Sequence, residues 1–388
     1  MKGTQTLVGR MPERCSLRER QIHTLKTALR QSPERAMTVH SVAFVGTGPN
    51  PEEPVWGESA AMAYRHADGY RRLDDCDLVA CADIVREHGE AFADEFGIDA
   101  GHVYEDYKEM LAKAQSDIVS VATPVPTHAD IVVDLIESGS PSAIHCEKPM
   151  ADTWADCERM AAAAADADVQ LTFNHQRRFD PRCRSAKDLL DDEIGELRRL
   201  EMGGKNLFDF GTHLVDLCNF YNDEGNAEWV LGGLDYREED VRYGAHNENH
   251  AIAHWTYENG VSALAATGDG SDLIGCHNRI VGTEGEIEVG TSHGDSILVR
   301  RGPETEEVEG RSVENAIVPA IAHVVESLNE GTEPELSADR ALAAMEIIYG
   351  AWESVRRRGR VEFPLDIEDN PLRAMVETGD LTPDSTEE

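Results

Sequence analysis

Short apolar runs separated by amphipathic stretches organise the first half of the chain. Val39–Val45, Leu78–Ala82, Ile118–Ala122, Ala143–Cys146 and Gln170–Asn174 each read as a buried strand. Ala129–Glu137 and Thr153–Asp166 carry the three-to-four-residue period of helices between them. Strands and helices alternating at this length imply a parallel sheet whose ligand lies at the carboxyl ends of the strands. After Pro181 the pattern changes. A helix to Leu190, a turn over Asp191–Gly195 and a strand Glu196–Glu201 lead into a helix that carries Asp209 and His213. Alternating segments then follow: Trp229–Tyr236, His250–Tyr257, Val261–Thr267, His277–Gly282, Glu286–Val289 and Ser296–Arg300. With the turn signal Glu258-Asn259-Gly260 they predict a mostly antiparallel sheet. Helices over Val313–Asn329 and Ala338–Arg358 close that second domain.

The first strand runs into Gly46-Thr47-Gly48, where glycines permit a tight turn and close approach of a pyrophosphate to backbone N–H groups. The helical pattern resumes only near Glu58 or Ser59, so Pro49–Pro54 reads as an inserted loop, and Ala63 takes the third fingerprint position. Asp83 ends the second strand 20 residues beyond Ala63, close to the spacing of a ribose-binding carboxylate. Such a carboxylate repels a 2′-phosphate, which favours NAD over NADP, although Arg86 is close in sequence. A plain turn residue is the alternative for Asp83. The fold class is therefore α/β: an N-terminal Rossmann domain and a C-terminal α+β domain on a mostly antiparallel open sheet. The expected boundaries are 37–178 and 179–369, with a basic extension over 1–36 and a frayed acidic tail over 370–388.

Charge changes the picture. The 388 residues include 36 Lys plus Arg and 74 Asp plus Glu, for a net charge of -38, and only seven of the cations are lysines. Such a field repels nucleic acid and anionic membranes. The acidity is spread along the chain, which points to a halophile enzyme working in concentrated salt; an acidic protein with a cationic partner is the other reading. Residues 1–36 alone carry eight cations against three anions. They read as an extension ahead of a natural start at Met37, or as an interaction or targeting arm. No run of about 18 apolar residues is present, so no spanning helix is expected. The eight scattered cysteines lack zinc spacing and read as reduced residues of a cytoplasmic protein, with no metal site.

Several motifs together resemble the glucose–fructose oxidoreductase / inositol dehydrogenase / rhizopine-catabolism (Gfo/Idh/MocA) family. They are Gly46-Thr47-Gly48, His66-Ala67, Asp83, Thr123-Pro124 with His128, Glu147-Lys148-Pro149, Asn174 to Pro181, Asp209-Phe210-Gly211-Thr212-His213 and Gly282-Thr283-Glu284-Gly285. The resemblance covers about residues 39–366 and implies an NAD(P)-dependent dehydrogenase or reductase of a sugar or polyol. It implies that Lys148 contacts substrate and cofactor, that His213 is the acid/base group and that Asp209 assists it. On residue chemistry alone, Asp209 and His213 share a face if the helix begins near Phe208, so the carboxylate can orient the imidazole. The plain alternatives are a helix cap with a buried histidine, and for Lys148 a surface ion pair with Glu147. Thr123, Pro124, His128, Glu147 and Asn174 join Gly46, Thr47, Gly48 and Asp83 as the cofactor set, His128 reading as more structural than catalytic. Pro149 fixes the backbone after Lys148, a place where a cis bond is in reach.

The family's long excursion between strand Glu196–Glu201 and the Asp209 helix is nearly absent here. Lys205 and Asn206 therefore become candidate substrate contacts, together with Arg177 from Asn174–Pro181. The resemblance also implies subunit pairing through the open sheet face, as a homodimer or homotetramer. Two other functions remain open: a glycosidase that uses NAD for transient oxidation, and a non-catalytic cofactor-sensing regulator. The joint presence of Lys148, Asp209 and His213 argues against the regulator.

Overall fold

A computed structural model describes residues 38–51, 62–291, 297–309 and 316–383. The basic extension 1–36, most of the Pro-rich insertion and the expected helix start near Glu58 lie outside the described residues. The elements of the first half are β1 His40–Val45, α1 Met62–Tyr70, β2 Cys76–Ala82, α2 Arg86–Phe96, β3 Val103–Tyr104, α3 Tyr107–Ala114, β4 Ile118–Val121, α4 His128–Glu137, β5 Ala143–Cys146, α5 Trp154–Ala167 and β6 Gln170–Phe173. Their strands form one six-stranded sheet in the order β3-β2-β1-β4-β5-β6, every pair parallel. This is the Rossmann order. β4 and β5 are buried on both faces, as their unbroken apolar runs require. Local chemistry sets the helix ends: Thr153 accepts a hydrogen bond from Asp156 N at the start of α5, and Gly97 in the left-handed region ends α2.

The second half comprises α6 Pro181–Glu193, β7 Leu197–Gly204, α7 Gly211–Tyr221, β8 Ala227–Asp235, β9 Val241–Arg242, β10 Ala245–His246, β11 His250–Tyr257, β12 Ser262–Thr267, β13 Cys276–Gly282, β14 Glu286–Thr291, β15 Ile297–Arg301, β16 Glu304–Val308, α8 Ile317–Glu330, α9 Ala338–Arg357, β17 Val361–Glu362 and α10 Pro371–Thr378. Nine of these strands make a mixed sheet, β16-β15-β14-β13-β7-β12-β11-β8-β17. It is antiparallel except where β12 runs parallel to β7. α7 is buried along its whole length, and α9 packs against α5, α7 and β8, joining the two sheets.

Three expectations need correction. The Asp209 helix starts at Gly211 and not near Phe208, because the chain makes a turn at 207–210. A Cβ on Gly211 would lie 2.2 Å from Asn206 O, so this close approach admits only glycine. α8 does not serve the second domain alone: Ile317, Ile321 and Val325 pack in one cluster with Ala63, Ala67 and Tyr70 of α1. The chain beyond Asn370 is not frayed through residue 383. Asn370 caps α10 by accepting from Arg373 N, Pro371 leads the helix, Leu372 and Met375 are buried, and Arg373 pairs with Asp152. Among the described residues no helix is long and apolar enough to cross a membrane.

Candidate functional site

The carboxyl ends of β1, β2, β4, β5 and β6 bring most of the expected residues to one edge of the parallel sheet. Gly46 and Gly48 adopt φ of +80° and +66°. A Cβ on Gly46 would lie 2.5 Å from Thr123 Cγ2, so the turn after β1 lies tight against the end of β4. Asp83 Oδ2 accepts from Gly48 N at 2.9 Å and from Thr47 Oγ1 at 3.1 Å, and Oδ1 accepts from Val85 N. Thr123 accepts from Thr127 Oγ1, whose hydroxyl is also 2.7 Å from Pro124 O. These residues form a concave glycine-lined edge with a carboxylate at the second strand, which suits a dinucleotide.

His128 was expected among the cofactor contacts, but it is fully buried. Its Nε2 lies 2.8 Å from Thr123 O and its Nδ1 3.1 Å from Pro149 O, so it ties two site loops together. Burial pulls its pKa down. Glu147 and Asn174 likewise point inward. Asn174 Nδ2 donates to Glu147 Oε1 at 2.6 Å, His66 Nε2 lies 2.9 Å from the same oxygen, and Glu147 Oε2 accepts from Lys148 N. Burial raises the Glu147 pKa, but the His66 hydrogen bond and charge, Lys148 and Asn174 outweigh it and hold the carboxyl at about 2. The Glu147 carboxylate and the Asn174 amide nitrogen are taken up by these bonds within the protein. Their burial follows from the depth of β5 and β6 in the sheet.

Lys148 follows β5, and its peptide bond to Pro149 is cis. Its Nζ donates to Asp209 O at 2.8 Å and Asp209 Oδ1 at 2.9 Å. Asp209 therefore pairs with Lys148 across the two domains, and not with His213 as the helical spacing suggested. Asp209 N donates to Asn247 Oδ1, and Arg242 approaches its other carboxylate oxygen at 3.9 Å. His213, in the first turn of α7, is 5% exposed, and its Nδ1 has no hydrogen-bond partner. Burial, then the charges of Lys148, Arg177 and His175, push its pKa well below the ordinary value, so it rests as neutral imidazole. The His175 ring meets it edge-on at 5.7 Å and bonds through Nε2 to Thr212 Oγ1.

Lys205 is exposed, whereas Asn206 is buried and uses Oδ1 to accept from Phe210 N, which fixes the turn before α7. A cavity of about 550 Å³ opens here, lined by Lys205, Asn206, Phe210, Arg242, Glu248 and His277 among others. Lys148 and His213 do not line it themselves; it meets their neighbourhood through Phe210 and Arg242. Arg177 lies over the Phe210 ring at 4.5 Å. No sequence pattern points to Arg242, Glu248 or His277, which come from separate elements, whereas His175 lies within the motif Asn174 to Pro181 and is a candidate for the substrate mouth. His66 was visible only as part of a motif.

Residues 41–175 match the profile of an oxidoreductase family with an NAD-binding Rossmann fold, GFO_IDH_MocA. The chain is 24% identical over 332 residues to D-apiose dehydrogenase of Paraburkholderia graminis, covering 77% of this chain and 86% of that protein. It is 27% identical over 192 residues to myo-inositol 2-dehydrogenase of Thermotoga maritima, covering 45% of this chain and 56% of that protein, little more than half its length. Its fold matches an oxidoreductase domain protein from Kribbella flavida with a TM-score of 0.70 at 21% identity, over 85% of this chain and 100% of that one. Residues 41–175 therefore carry the NAD-binding Rossmann fold of the Gfo/Idh/MocA oxidoreductase family.

Proposed function

We propose that the protein is a nicotinamide-dependent dehydrogenase or reductase acting at a hydroxyl or carbonyl carbon of a sugar or polyol. The observation that carries this reading is the meeting of Lys148 and Asp209 beside a neutral, unpartnered His213, at the same sheet edge as the Gly46–Gly48 turn. D-apiose and inositol dehydrogenases among the relatives support the substrate class. Gly46, Thr47 and Gly48 would hold the pyrophosphate, Asp83 the adenosine ribose, and Thr123 and Pro124 the nicotinamide side. Asp83 disfavours a 2′-phosphate, so NAD is preferred over NADP. The bound nicotinamide supplies a hydride acceptor or donor. Lys148 uses two of its three donors on Asp209 and offers the third to the substrate oxygen, where negative charge builds as the hydroxyl gives up its proton and is drawn into the carbonyl as hydride leaves the carbon. His213, neutral at rest, takes the hydroxyl proton and returns it in the reverse reaction.

The open face of the nine-stranded sheet carries exposed Leu231 (47%) and Ile252 (43%), which supports pairing into a homodimer or homotetramer. Net charge of -38 supports work in concentrated salt, and the seven free, buried cysteines of the described chain support a reducing, cytoplasmic setting. The test is a screen of sugars, polyols and their keto forms with NAD and NADP, following nicotinamide absorbance in about 2 M KCl, a salt level that screens the surface charge. Turnover is expected and should fall in Lys148→Ala and His213→Ala by about 10²–10⁴-fold. Hydrolysis of glycosides without net change in NAD would favour the glycosidase instead.

A further inference from the structure

Two adjacent arginines are treated very differently. Arg178 is fully buried, and its guanidinium contacts Asp216 through Nε and Nη2 at 2.7 Å each and Glu224 through Nη1 at 2.5 Å. Arg177 is half-buried, and no carboxylate among the described residues lies within 4.0 Å of it. Its guanidinium lies over the Phe210 ring, and its Nη1 lies 3.5 Å from His277 Nδ1. In a chain with 74 acidic and 36 basic residues carboxylates are plentiful, yet none among the described residues pairs with Arg177. Burial pulls the Arg177 pKa down, and the nearby Asp180, which supports its charge from beyond ion-pair distance, is already bonded to Arg182.

Phe210 and His277 both line the cavity of about 550 Å³. Lys205, on the same lining, is exposed and also lacks a carboxylate partner among the described residues. Arg242 and Glu248 of the lining are engaged. Arg242 faces Asp240 at 2.9 Å. Glu248 is buried, accepts from Leu207 N and Trp352 Nε1, and burial lifts its pKa to about 7. Asp272 lies exposed at the edge. The unmet demand is therefore for one planar anion at Arg177, which stacks on Phe210 and meets His277 of the cavity lining.

We infer that the substrate is a polyhydroxy acid whose carboxylate binds Arg177, with Lys205 as a second cation and the reacting hydroxyl turned to Lys148 and His213. This rests on the dehydrogenase reading of the same site. A guanidinium fork fits a carboxylate in two parallel hydrogen bonds. One unpaired guanidinium matches a single negative charge, whereas a phosphate dianion would meet Asp240 and Asp272 with too few donors. Recognition also couples to chemistry. Arg177 is one of the charges that disfavour protonated His213, so a carboxylate seated on Arg177 makes His213 a stronger base.

The test uses the full chain loaded with NADH and calorimetric titration of matched compounds: D-galacturonate, D-galactose and galactose 1-phosphate, and D-gluconate, D-glucitol and glucose 6-phosphate. Turnover is measured in parallel. An acid should bind about 30-fold or more tightly than its neutral counterpart, the scale of a partly buried charge pair. Arg177→Gln should bring that ratio near one, and Arg177→Lys should keep part of it. NADH affinity reports whether each variant folds. A neutral or phosphorylated compound bound as tightly as the acid, or an Arg177→Gln protein that keeps its acid preference, overturns the inference. Acids that bind through Arg177 but are never turned over leave the carboxylate site standing and remove the dehydrogenase reading. Neutral sugars turned over with no effect of Arg177 do the reverse.

Discussion

Replacing Glu147 by glutamine should uncouple a buried charge from the residue it positions. In the folded protein Glu147 titrates at about 2, against an ordinary value of 4.5. That gap of roughly 2.5 units corresponds to about 3 kcal/mol of stability from the ionised carboxylate. The sign follows from a depressed acid: the contribution is complete above pH 4.5 and is lost as pH falls towards 2. At pH 3.5 about 1.4 kcal/mol of it should already be gone. Glutamine keeps the shape but not the charge. Whichever way its amide turns, an N–H faces either Lys148 N–H or the cluster of Asn174 and His66. An unsatisfied donor there costs about 1–3 kcal/mol. Guanidinium chloride unfolding of both proteins, from pH 7 down to pH 3.5 at fixed ionic strength, reads these effects. The wild type should be more stable by about 3 kcal/mol at pH 7, with a gap that narrows below pH 5. Lys148 would also lose its backbone anchor, so kcat/KM should fall while NADH binding persists. Equal stabilities at pH 7, or a gap that stays constant to pH 3.5, would refute the assigned role of Glu147.

Gly46→Ala should weaken NADH binding at least about tenfold, because φ is +80° and the new Cβ would meet Thr123 Cγ2 at 2.5 Å; unchanged affinity in a fluorescence titration would contradict this. His145 is held neutral down to about pH 3 by burial and by the nearby His66, and His213 is also pushed well below its ordinary range. Below pH 6.5 the unfolded chain binds protons that these folded histidines refuse, so stability should fall by about 1.4 kcal/mol per histidine per pH unit towards pH 4. Flat stability across that window speaks against their burial as neutral groups. Asp216→Ala leaves the fully buried Arg178 with Glu224 alone and should cost about 3 kcal/mol in denaturant unfolding; a loss below about 1 kcal/mol would show that the pair is dispensable.

The parallel sheet was legible because each of its strands is a short apolar run bounded by helical periodicity, and β4 and β5 are buried on both faces. The Gly46–Gly48 turn, Asp83 and Lys148 were legible as local motifs at strand ends. What was not legible depends on distant contacts. The helix carrying His213 starts two residues after Asp209 because Gly211 sits against Asn206 O, and that sends the Asp209 carboxylate across to Lys148. Glu147 and Asn174 look like ligand contacts at strand ends, yet both bond to His66, from a helix 81 residues before the one and 108 before the other. Arg177 meets His277 across 100 residues of sequence, and no local pattern announces that. The parallel pairing of β7 with β12 and the packing of α8 against α1 were hidden for the same reason, since period and propensity describe an element but not its neighbours.

The central claim is that Lys148 and His213 carry out hydride transfer between a hydroxyl-bearing carbon and nicotinamide. The most direct measurement gives the enzyme NAD and a polyhydroxy compound deuterated at its carbinol carbons, and follows the C4 position of the nicotinamide by NMR. The account predicts deuterium at C4 in step with appearance of the carbonyl product, slowed by orders of magnitude in His213→Ala. A protein that binds NAD, transforms its substrate and leaves C4 free of deuterium in the released cofactor would contradict it.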